Sequence, residues 1–153
     1  MSKILLLFFT LFCFLKADYE VINNENLFVV KVNKANFDEL LLRLKDEINF
    51  EGFTTVYELN LAKATNEVAV LLEKKGVLKD GINLGICKSS FTLQMVEENF
   101  NNINYCPLGL SVYQNSKNEN FISYKKYKAF KSGDKIADKI NERLKSLILK
   151  SLD

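Results

Sequence analysis

The feature that most constrains this chain is a long amphipathic pattern near its C-terminus. Apolar residues recur at Ile136, Ile140, Leu144, Leu147 and Ile148, with lysines and an arginine between them. A spacing of three or four residues places these apolar side chains along one side of a helix. Such a helix gains most of its stability from packing that side against other elements. We therefore expect it to pack across a sheet formed by the preceding residues.

The preceding residues alternate between strand and helix patterns. The predicted order is strand, helix, strand, short helix, strand, short helix, strand, strand and long helix. These elements cover residues 27–34, 36–52, 53–61, 65–75, 82–87, 89–101, 108–114 and 121–130, followed by a helix that opens at Ser132-Gly133-Asp134. Helices lying over one face of a largely antiparallel sheet make an α+β domain.

Side-chain patterns refine three of these helices. Asn36 with Glu39 three residues later has the spacing of a capping box, which predicts the start of the first helix. Apolar sides of the two short helices are predicted at Val68, Leu71 and Leu72, and at Leu93, Val96 and Phe100.

The first residues have the pattern of an export signal. Lys3 gives a positive start, residues 4–15 form an apolar run, and the small Ala17 precedes polar residues beginning at Asp18. A membrane span needs roughly 20 apolar residues, so this run is too short for a permanent anchor. We predict a signal peptide that is cleaved after Ala17.

Cleavage there leaves a single domain over residues 18–153, periplasmic or secreted, with no transmembrane anchor. Two alternatives stay open. Cys13 is a weak candidate for lipid attachment, and the apolar run is also compatible with a first strand or helix of the fold.

Charge and composition exclude several classes of function. The chain has 21 Lys and Arg, 19 Asp and Glu, and no His. Lys3 and Lys16 leave with the signal peptide, so the mature chain carries 19 charges of each sign. Nucleic-acid binding through an overall positive field is therefore not expected. Without His the commonest metal ligand and general base are missing, and we predict no catalytic residues, no metal and no cofactor.

Two cysteines remain in the mature chain. Cys87 ends the third predicted strand and Cys106 precedes the fourth, so antiparallel pairing of these strands would bring the cysteines to one end of the sheet. A disulfide closing this loop of about 20 residues would stabilise the fold by roughly 3 kcal/mol. Two alternatives stay open: buried thiols that fill core space, and a reactive pair in which the following helix and Lys88 favour a Cys87 thiolate.

Aromatic residues suggest a ligand groove between the sheet and the long helix. The candidates are Phe91, Tyr105, Tyr113, Phe121 and Tyr124, which could hold a small apolar ligand. Core packing is the alternative, because aromatic residues are ordinary in strands.

A run of lysines interleaved with aromatic residues is a candidate surface for an anionic ligand. Lys125, Lys126 and Lys128 are the candidates to face an anion; the run continues with Lys131, Lys135 and Lys139, and its aromatic residues are Tyr124, Tyr127 and Phe130. The alternative is that these lysines occupy the solvated faces of a strand and a helix.

Three short motifs carry a resemblance to a known family. Glu51-Gly52-Phe53 opens the second strand, Leu84-Gly85-Ile86-Cys87 ends the third, and Cys106-Pro107 precedes the fourth. In this order, and followed by the amphipathic helix, they resemble the bacterial family catalogued as domain of unknown function 302, over residues 34–153.

This resemblance implies a TATA-binding-protein-like α+β fold and a homodimer. The expected architecture is a curved, mainly antiparallel sheet of about five strands, with two principal helices and two short ones. The chain departs from the family pattern at Lys88-Ser89, where Asn-Pro is frequent, and at Tyr105, where Pro is usual. The family has no settled activity, so the resemblance implies none.

Two hypotheses follow. The first is a non-enzymatic binding or interaction module, exported and homodimeric, with a structural disulfide and a small apolar or anionic ligand. The second is a thiol-redox or sulfur-handling protein that uses Cys87 and Cys106.

Overall fold

The computed structural model describes residues 18–132 and 135–153. Residues 1–17, on which the predicted signal peptide falls, lie outside the described residues, as do Gly133 and Asp134 at the expected start of the last helix. None of the helices in the described part of the chain has the length and hydropathy of a membrane span.

In the described residues, six strands form one antiparallel sheet in the order β1-β2-β6-β5-β4-β3. In chain order the elements are β1 (Tyr19–Asn23), β2 (Leu27–Val32), α1 (Phe37–Phe50), β3 (Thr54–Asn60), α2 (Leu61–Leu71), β4 (Leu78–Cys87), α3 (Ser89–Glu98), a 3₁₀ helix (Phe100–Tyr105), β5 (Leu108–Asn115), β6 (Asn120–Lys125) and α4 (Ile136–Lys150). The predicted α+β class is confirmed, with α1 and α4 as the principal helices and α2 and α3 as the short ones.

The core lies between one face of the sheet and the two principal helices. The predicted apolar side of α4 is confirmed, since Ile136, Ile140, Leu144, Leu147 and Ile148 are all buried. They join Leu40, Leu44 and Ile48 of α1 and alternate residues of the central strands in one hydrophobic cluster. Full burial of one such side chain contributes about 1.5–3 kcal/mol, so this layer dominates the stability of the fold.

The two principal helices begin in different ways. Asn36 caps α1 as predicted, because its Oδ1 accepts hydrogen bonds from Asp38 N at 2.9 Å and Glu39 N at 3.2 Å. The side chain of Glu39 pairs with Arg43 instead of closing a capping box. At α4 the carboxylate of Glu98 accepts from the backbone N–H groups of Lys135 and Ile136, so the cap comes from another helix.

The predicted sides of the short helices are wrong. Helix α2 begins at Leu61, earlier than predicted, because Asn60 Oδ1 accepts a hydrogen bond from Lys63 N. Its buried residue is Ala62, while Val68, Leu71 and Leu72 are exposed. In α3 the buried residue is Met95, whereas Leu93 is exposed and Val96 is partly buried; Phe100 is exposed and lies beyond α3, at the start of the 3₁₀ helix.

Two strand predictions also need correction. Strand β1, which the sequence analysis did not predict, pairs with β2 at the edge of the sheet, from Tyr19 opposite Val32 to Asn23 opposite Phe28. The last predicted strand ends at Lys125, not at Phe130, because the following segment turns toward α4.

Candidate functional site

A disulfide joins the end of β4 to the start of β5. Strands β4 and β5 are antiparallel neighbours, with Ile86 opposite Leu108, so Cys87 and Cys106 reach the same end of the sheet. Their Cα atoms are 6.2 Å apart and the two residues are bonded. Both cysteines are partly exposed. Of the three arrangements left open by the sequence, the structure contains the disulfide.

Lys88, which follows Cys87, directs its charge away from the disulfide. Its Nζ donates to the backbone oxygen of Glu51 at 2.7 Å and lies 5.7 Å from the centre of the Phe53 ring. The ammonium therefore stabilises the connection between α1 and β3. It is already engaged there, which weakens its expected role beside a Cys87 thiolate.

A cavity of about 400 Å³ opens between the start of α3 and α4. Phe91 and Phe53 meet edge to face in it, with ring centres 6.3 Å apart. Lys88, Lys139 and Arg143 lie on its wall. Arg143 is held 2.9 Å from a carboxylate oxygen of Glu51, which also pairs with Lys150, and Glu142 lies on the same wall of the cavity.

A second cavity, of about 460 Å³, lies at the end of β6, and we call it the lysine–aromatic cavity. Three aromatic rings and three lysines dominate its lining, which consists of Asn26, Tyr105, Lys125, Lys126, Tyr127, Lys128 and Phe130. Four of the residues singled out from the sequence meet here: Tyr105 and the three predicted anion-facing lysines. Its volume is within the range of about 300–1,000 Å³ that is usual for small-molecule sites.

The aromatic wall of this cavity is built around Tyr105. The Tyr105 ring is buried, stacks on Phe130 at 4.4 Å between ring centres, and meets Tyr127 edge to face at 5.5 Å. Its hydroxyl donates to the backbone oxygen of Lys128 at 2.5 Å. The Tyr127 hydroxyl accepts a hydrogen bond from Gly109 N at 2.9 Å. Both tyrosines are thus fixed by hydrogen bonds at the far end of their rings.

Two of the three lysines of the cavity bind the turn between β1 and β2. Lys126 Nζ donates to the backbone oxygen of Asn24, and Lys128 Nζ lies 3.1 Å from the Glu25 carboxylate. The Lys125 ammonium has no hydrogen-bond or ion-pair partner within residues 18–132 and 135–153. The turn therefore neutralises one lysine of the three and leaves two positive charges at the cavity.

Burial shifts the pKa of two tyrosines near this site. Desolvation raises the pKa of Tyr124 to about 12, and its hydroxyl donates to the backbone oxygen of Asn141 in α4 at 2.9 Å. Burial also raises the pKa of Tyr127, partly offset by the hydrogen bond from Gly109. Both hydroxyls stay protonated at neutral pH, where they serve as neutral hydrogen-bonding groups.

The five predicted groove aromatics do not meet in one groove. Phe91 lies in the cavity between α3 and α4, and Tyr105 in the lysine–aromatic cavity. Tyr124 is buried against Phe28 beneath α4. Tyr113 and Phe121 are opposite residues of β5 and β6 and stack at 5.1 Å. Because successive strand residues point to opposite faces, this stacked pair lies on the face away from Val112 and Ile122.

An apolar surface at the other edge of the sheet was missed by sequence reasoning. It consists of exposed aliphatic residues of β3, α2 and the following loop: Val56, Leu59, Leu61, Val68, Val70, Leu71, Leu72 and Val77. We call it the β3–α2 surface. Helix α2 is attached to β4 through small contacts, with Ala62 against Gly81 and Asn66 Nδ2 donating to the backbone oxygen of Leu78 at 2.9 Å. The available signal was the group of aliphatic residues at the end of α2, of which the sequence analysis named Val68, Leu71 and Leu72 as the apolar side of a short helix.

The comparisons with known proteins agree with each other. The family model described as "Domain of unknown function DUF302" matches residues 28–150. The chain is also similar to the crystal structure of an uncharacterized conserved DUF302 protein from Bacillus stearothermophilus, with a TM-score of 0.64 and 19% identity over 83% of this chain and 95% of that chain. At this identity the likeness shows the fold alone. No curated protein matches the chain.

Proposed function

The chain belongs to the family of the domain of unknown function DUF302, and from that premise we propose that it is an exported, non-enzymatic interaction module that works as a homodimer. The apolar run and Ala17 in residues 1–17 support export to the periplasm or beyond. A disulfide between partly exposed cysteines is in keeping with an oxidising compartment.

The β3–α2 surface carries this proposal. Val70 is 75% exposed and Leu71 82% exposed, although both are large aliphatic residues in a well-formed helix. All eight side chains of the β3–α2 surface are exposed. Large exposed apolar surfaces on soluble proteins commonly mark the place where another molecule binds.

The partner that fits this surface best is a second copy of the chain. Within residues 18–132 and 135–153, β3 is the last strand of the sheet order, so its outer backbone groups can pair with another strand in the antiparallel sense. A twofold axis beside β3 would bring the apolar residues of both copies together. The flanking charges of α2 have both signs, including Lys63 and Glu67, and so a like surface is not repelled.

The test is the oligomeric state of residues 18–153, measured by light scattering after size-exclusion chromatography. We expect a mass of two protomers for the wild type and of one protomer for Leu71→Asp. Because Leu71 is exposed in the protomer, the variant should keep its circular dichroism spectrum and fold.

The matched control is Leu42→Asp, which places the same charge at an exposed leucine of α1. It should leave the dimer intact. A monomeric wild type, or equal effects of the two substitutions, would overturn the proposal that the β3–α2 surface joins two copies.

A second candidate function is thiol-redox or sulfur chemistry at Cys87 and Cys106. The observation in its favour is that the bonded cysteines are both partly exposed at the end of the sheet. Against it stand the absence of a C-x-x-C spacing and the engagement of Lys88 with Glu51. It predicts that the bridge is reduced easily and that one released thiol is alkylated quickly.

A further inference from the structure

We propose that the lysine–aromatic cavity binds a small aromatic carboxylate, with its ring against Phe130 and its carboxylate between Lys125 and Lys126. The inference extends the proposed function, because it gives the interaction module a ligand. It is tested independently of the β3–α2 surface, because β3 lies three strands away from β6 in the sheet order.

The ring position follows from the exposure of Phe130. One face of Phe130 stacks on the buried Tyr105 ring, and the side chain is still 56% exposed. A phenyl ring held on one side by stacking, and open on the other, is a platform for a second aromatic ring. Because hydrogen bonds fix Tyr105 and Tyr127 behind it, the platform is formed before a ligand arrives.

The sign of the ligand charge follows from the lysines. Lys125 has no partner for its ammonium among the residues that the structure describes, and Lys126 donates only to an uncharged backbone oxygen. An ammonium has three donors, so Lys126 can hold Asn24 and a ligand oxygen together. Charge-assisted hydrogen bonds to a carboxylate are about twice as strong as neutral ones, whereas a cationic ligand is repelled.

Glu25 competes with this ligand for the positive charges of the cavity. Its carboxylate lies 3.1 Å from Lys128 Nζ, and its side chain is 82% exposed. An exposed ion pair of this kind contributes little stability and opens readily. A bound carboxylate therefore competes with Glu25 for the positive field of the cavity, and removing the Glu25 charge should strengthen binding.

The experiment is a titration of residues 18–153 with 2-naphthoate, followed by two-dimensional NMR of the backbone amides. Its neutral and cationic counterparts, 2-naphthalenemethanol and 2-naphthylmethylamine, are titrated in parallel. We expect naphthoate to shift the amides of residues 125–130 and to bind about tenfold more tightly than the alcohol, with the amine weaker still. Equal affinities for all three compounds would overturn the inference.

Substitutions of Glu25 and of the residues that line the cavity test which side chains affect binding of the ligand. Lys125→Gln and Lys126→Gln should each weaken naphthoate binding about three- to tenfold, and Glu25→Gln should strengthen it about two- to threefold. Phe130→Ala should weaken all three aromatic compounds, since it removes the platform.

The controls are Lys117→Gln on the turn between β5 and β6 and Phe50→Ala at the exposed end of α1. Both should leave the affinity for all three compounds unchanged. Naphthoate shifts that map to α2 would place the compound on the β3–α2 surface and contradict the inference. A wild type that dimerises but does not bind naphthoate would refute the ligand and leave the interaction module standing.

Discussion

Asn141 of α4 and the backbone of Tyr127 are joined in both directions. The Tyr127 N–H donates to Asn141 Oδ1, and Asn141 Nδ2 donates to the Tyr127 carbonyl oxygen, each at 2.9 Å. The side-chain amide thus forms the two hydrogen bonds that a neighbouring strand would form, just after β6 has ended at Lys125. This pairing holds the Tyr127 ring in place in the lysine–aromatic cavity.

Asn141→Ala should therefore loosen the cavity. The substitution leaves the N–H and carbonyl of Tyr127 without their partner, at a cost of roughly 1–3 kcal/mol in the free energy of unfolding. Hydrogen exchange should become faster at residues 126–130, while the centre of the sheet stays protected. Asn101→Ala, at an exposed position of the 3₁₀ helix, is the control. Equal protection of residues 126–130 in both variants would contradict this role of Asn141.

Tyr124 should make the protein sensitive to alkaline pH. Burial raises the pKa of Tyr124 from 10.0 to about 12. Between these values the unfolded chain loses the proton while the folded chain keeps it, so a contribution to stability that is complete below pH 10 is lost as the pH rises toward 12.

Tyr124→Phe measures this contribution. The variant loses the hydrogen bond to Asn141 O and should be less stable than the wild type by about 1 kcal/mol at pH 7. Urea unfolding of both proteins should give a stability difference that shrinks as the pH rises above 10. A difference that stays constant with pH would show that Tyr124 titrates alike in the folded and unfolded chains.

Glu51 should contribute to acid sensitivity. A hydrogen bond from Lys150, followed by the charges of Lys150, Arg143 and Lys88, lowers the pKa of Glu51 below its usual 4.5. The stability that this carboxylate provides is therefore present above pH 4.5 and is lost as the pH falls through its pKa in the folded protein.

Glu51→Gln should destabilise the protein by up to about 1 kcal/mol at pH 7, because the pairs with α4 are partly exposed. The unfolding curves of variant and wild type should converge as the pH is lowered below 4.5. Glu67→Gln, on the exposed side of α2, should have little effect at any pH. A difference at Glu51 that persists unchanged at pH 3 would contradict the expected titration.

Gly85 provides room for the ring of Tyr57 on the neighbouring strand. A Cβ at Gly85 would lie 2.2 Å from the Tyr57 ring, whereas a Cβ at Gly109, opposite Gly85 in the ladder, would meet nothing within 4 Å. Gly85→Ala should cost about 1–3 kcal/mol, and Gly109→Ala should be neutral or stabilise slightly.

A double-mutant cycle tests whether the Tyr57 ring causes the loss of stability in Gly85→Ala. In a Tyr57→Ala background the cost of Gly85→Ala should largely disappear, because the ring that the new methyl group meets is gone. Thermal unfolding of the four proteins gives the coupling energy. An unchanged cost in that background would mean that the glycine is required by the backbone instead of by the ring.

Elements whose signals are local were predictable from the sequence. The periodicity of α4 and the cap at Asn36 depend on neighbouring residues, and both are confirmed. The family resemblance carried by Gly52, Cys87 and Cys106 is confirmed by the match over residues 28–150. The disulfide was one of three arrangements that the sequence left open, and it depends on the antiparallel pairing of β4 with β5 that the structure shows.

Features that depend on distant partners were not predictable. Strand β1 is defined by its pairing with β2, and four of its five residues are exposed, so no buried alternation marks it in the sequence. The cap of α4 by Glu98 joins residues far apart in sequence. The aliphatic residues of α2 have the composition of a core helix. Only the structure shows that Ala62 is buried and that Leu71 is exposed. The lysine–aromatic cavity was predicted in part, because its lysines were grouped with Tyr127 and Phe130 whereas Tyr105 was assigned to a different groove.

The most direct test of the account is the thiol state of the protein after its production in an oxidising compartment. The protein is equilibrated in glutathione buffers of decreasing redox potential, its free thiols are alkylated, and its intact mass is measured. As an interaction module with a structural disulfide, the protein should keep Cys87 and Cys106 bonded throughout, and replacing both by serine should cost about 3 kcal/mol without abolishing the dimer. A bridge that opens in glutathione, with rapid alkylation of Cys87, would contradict the account and establish redox chemistry as the better explanation.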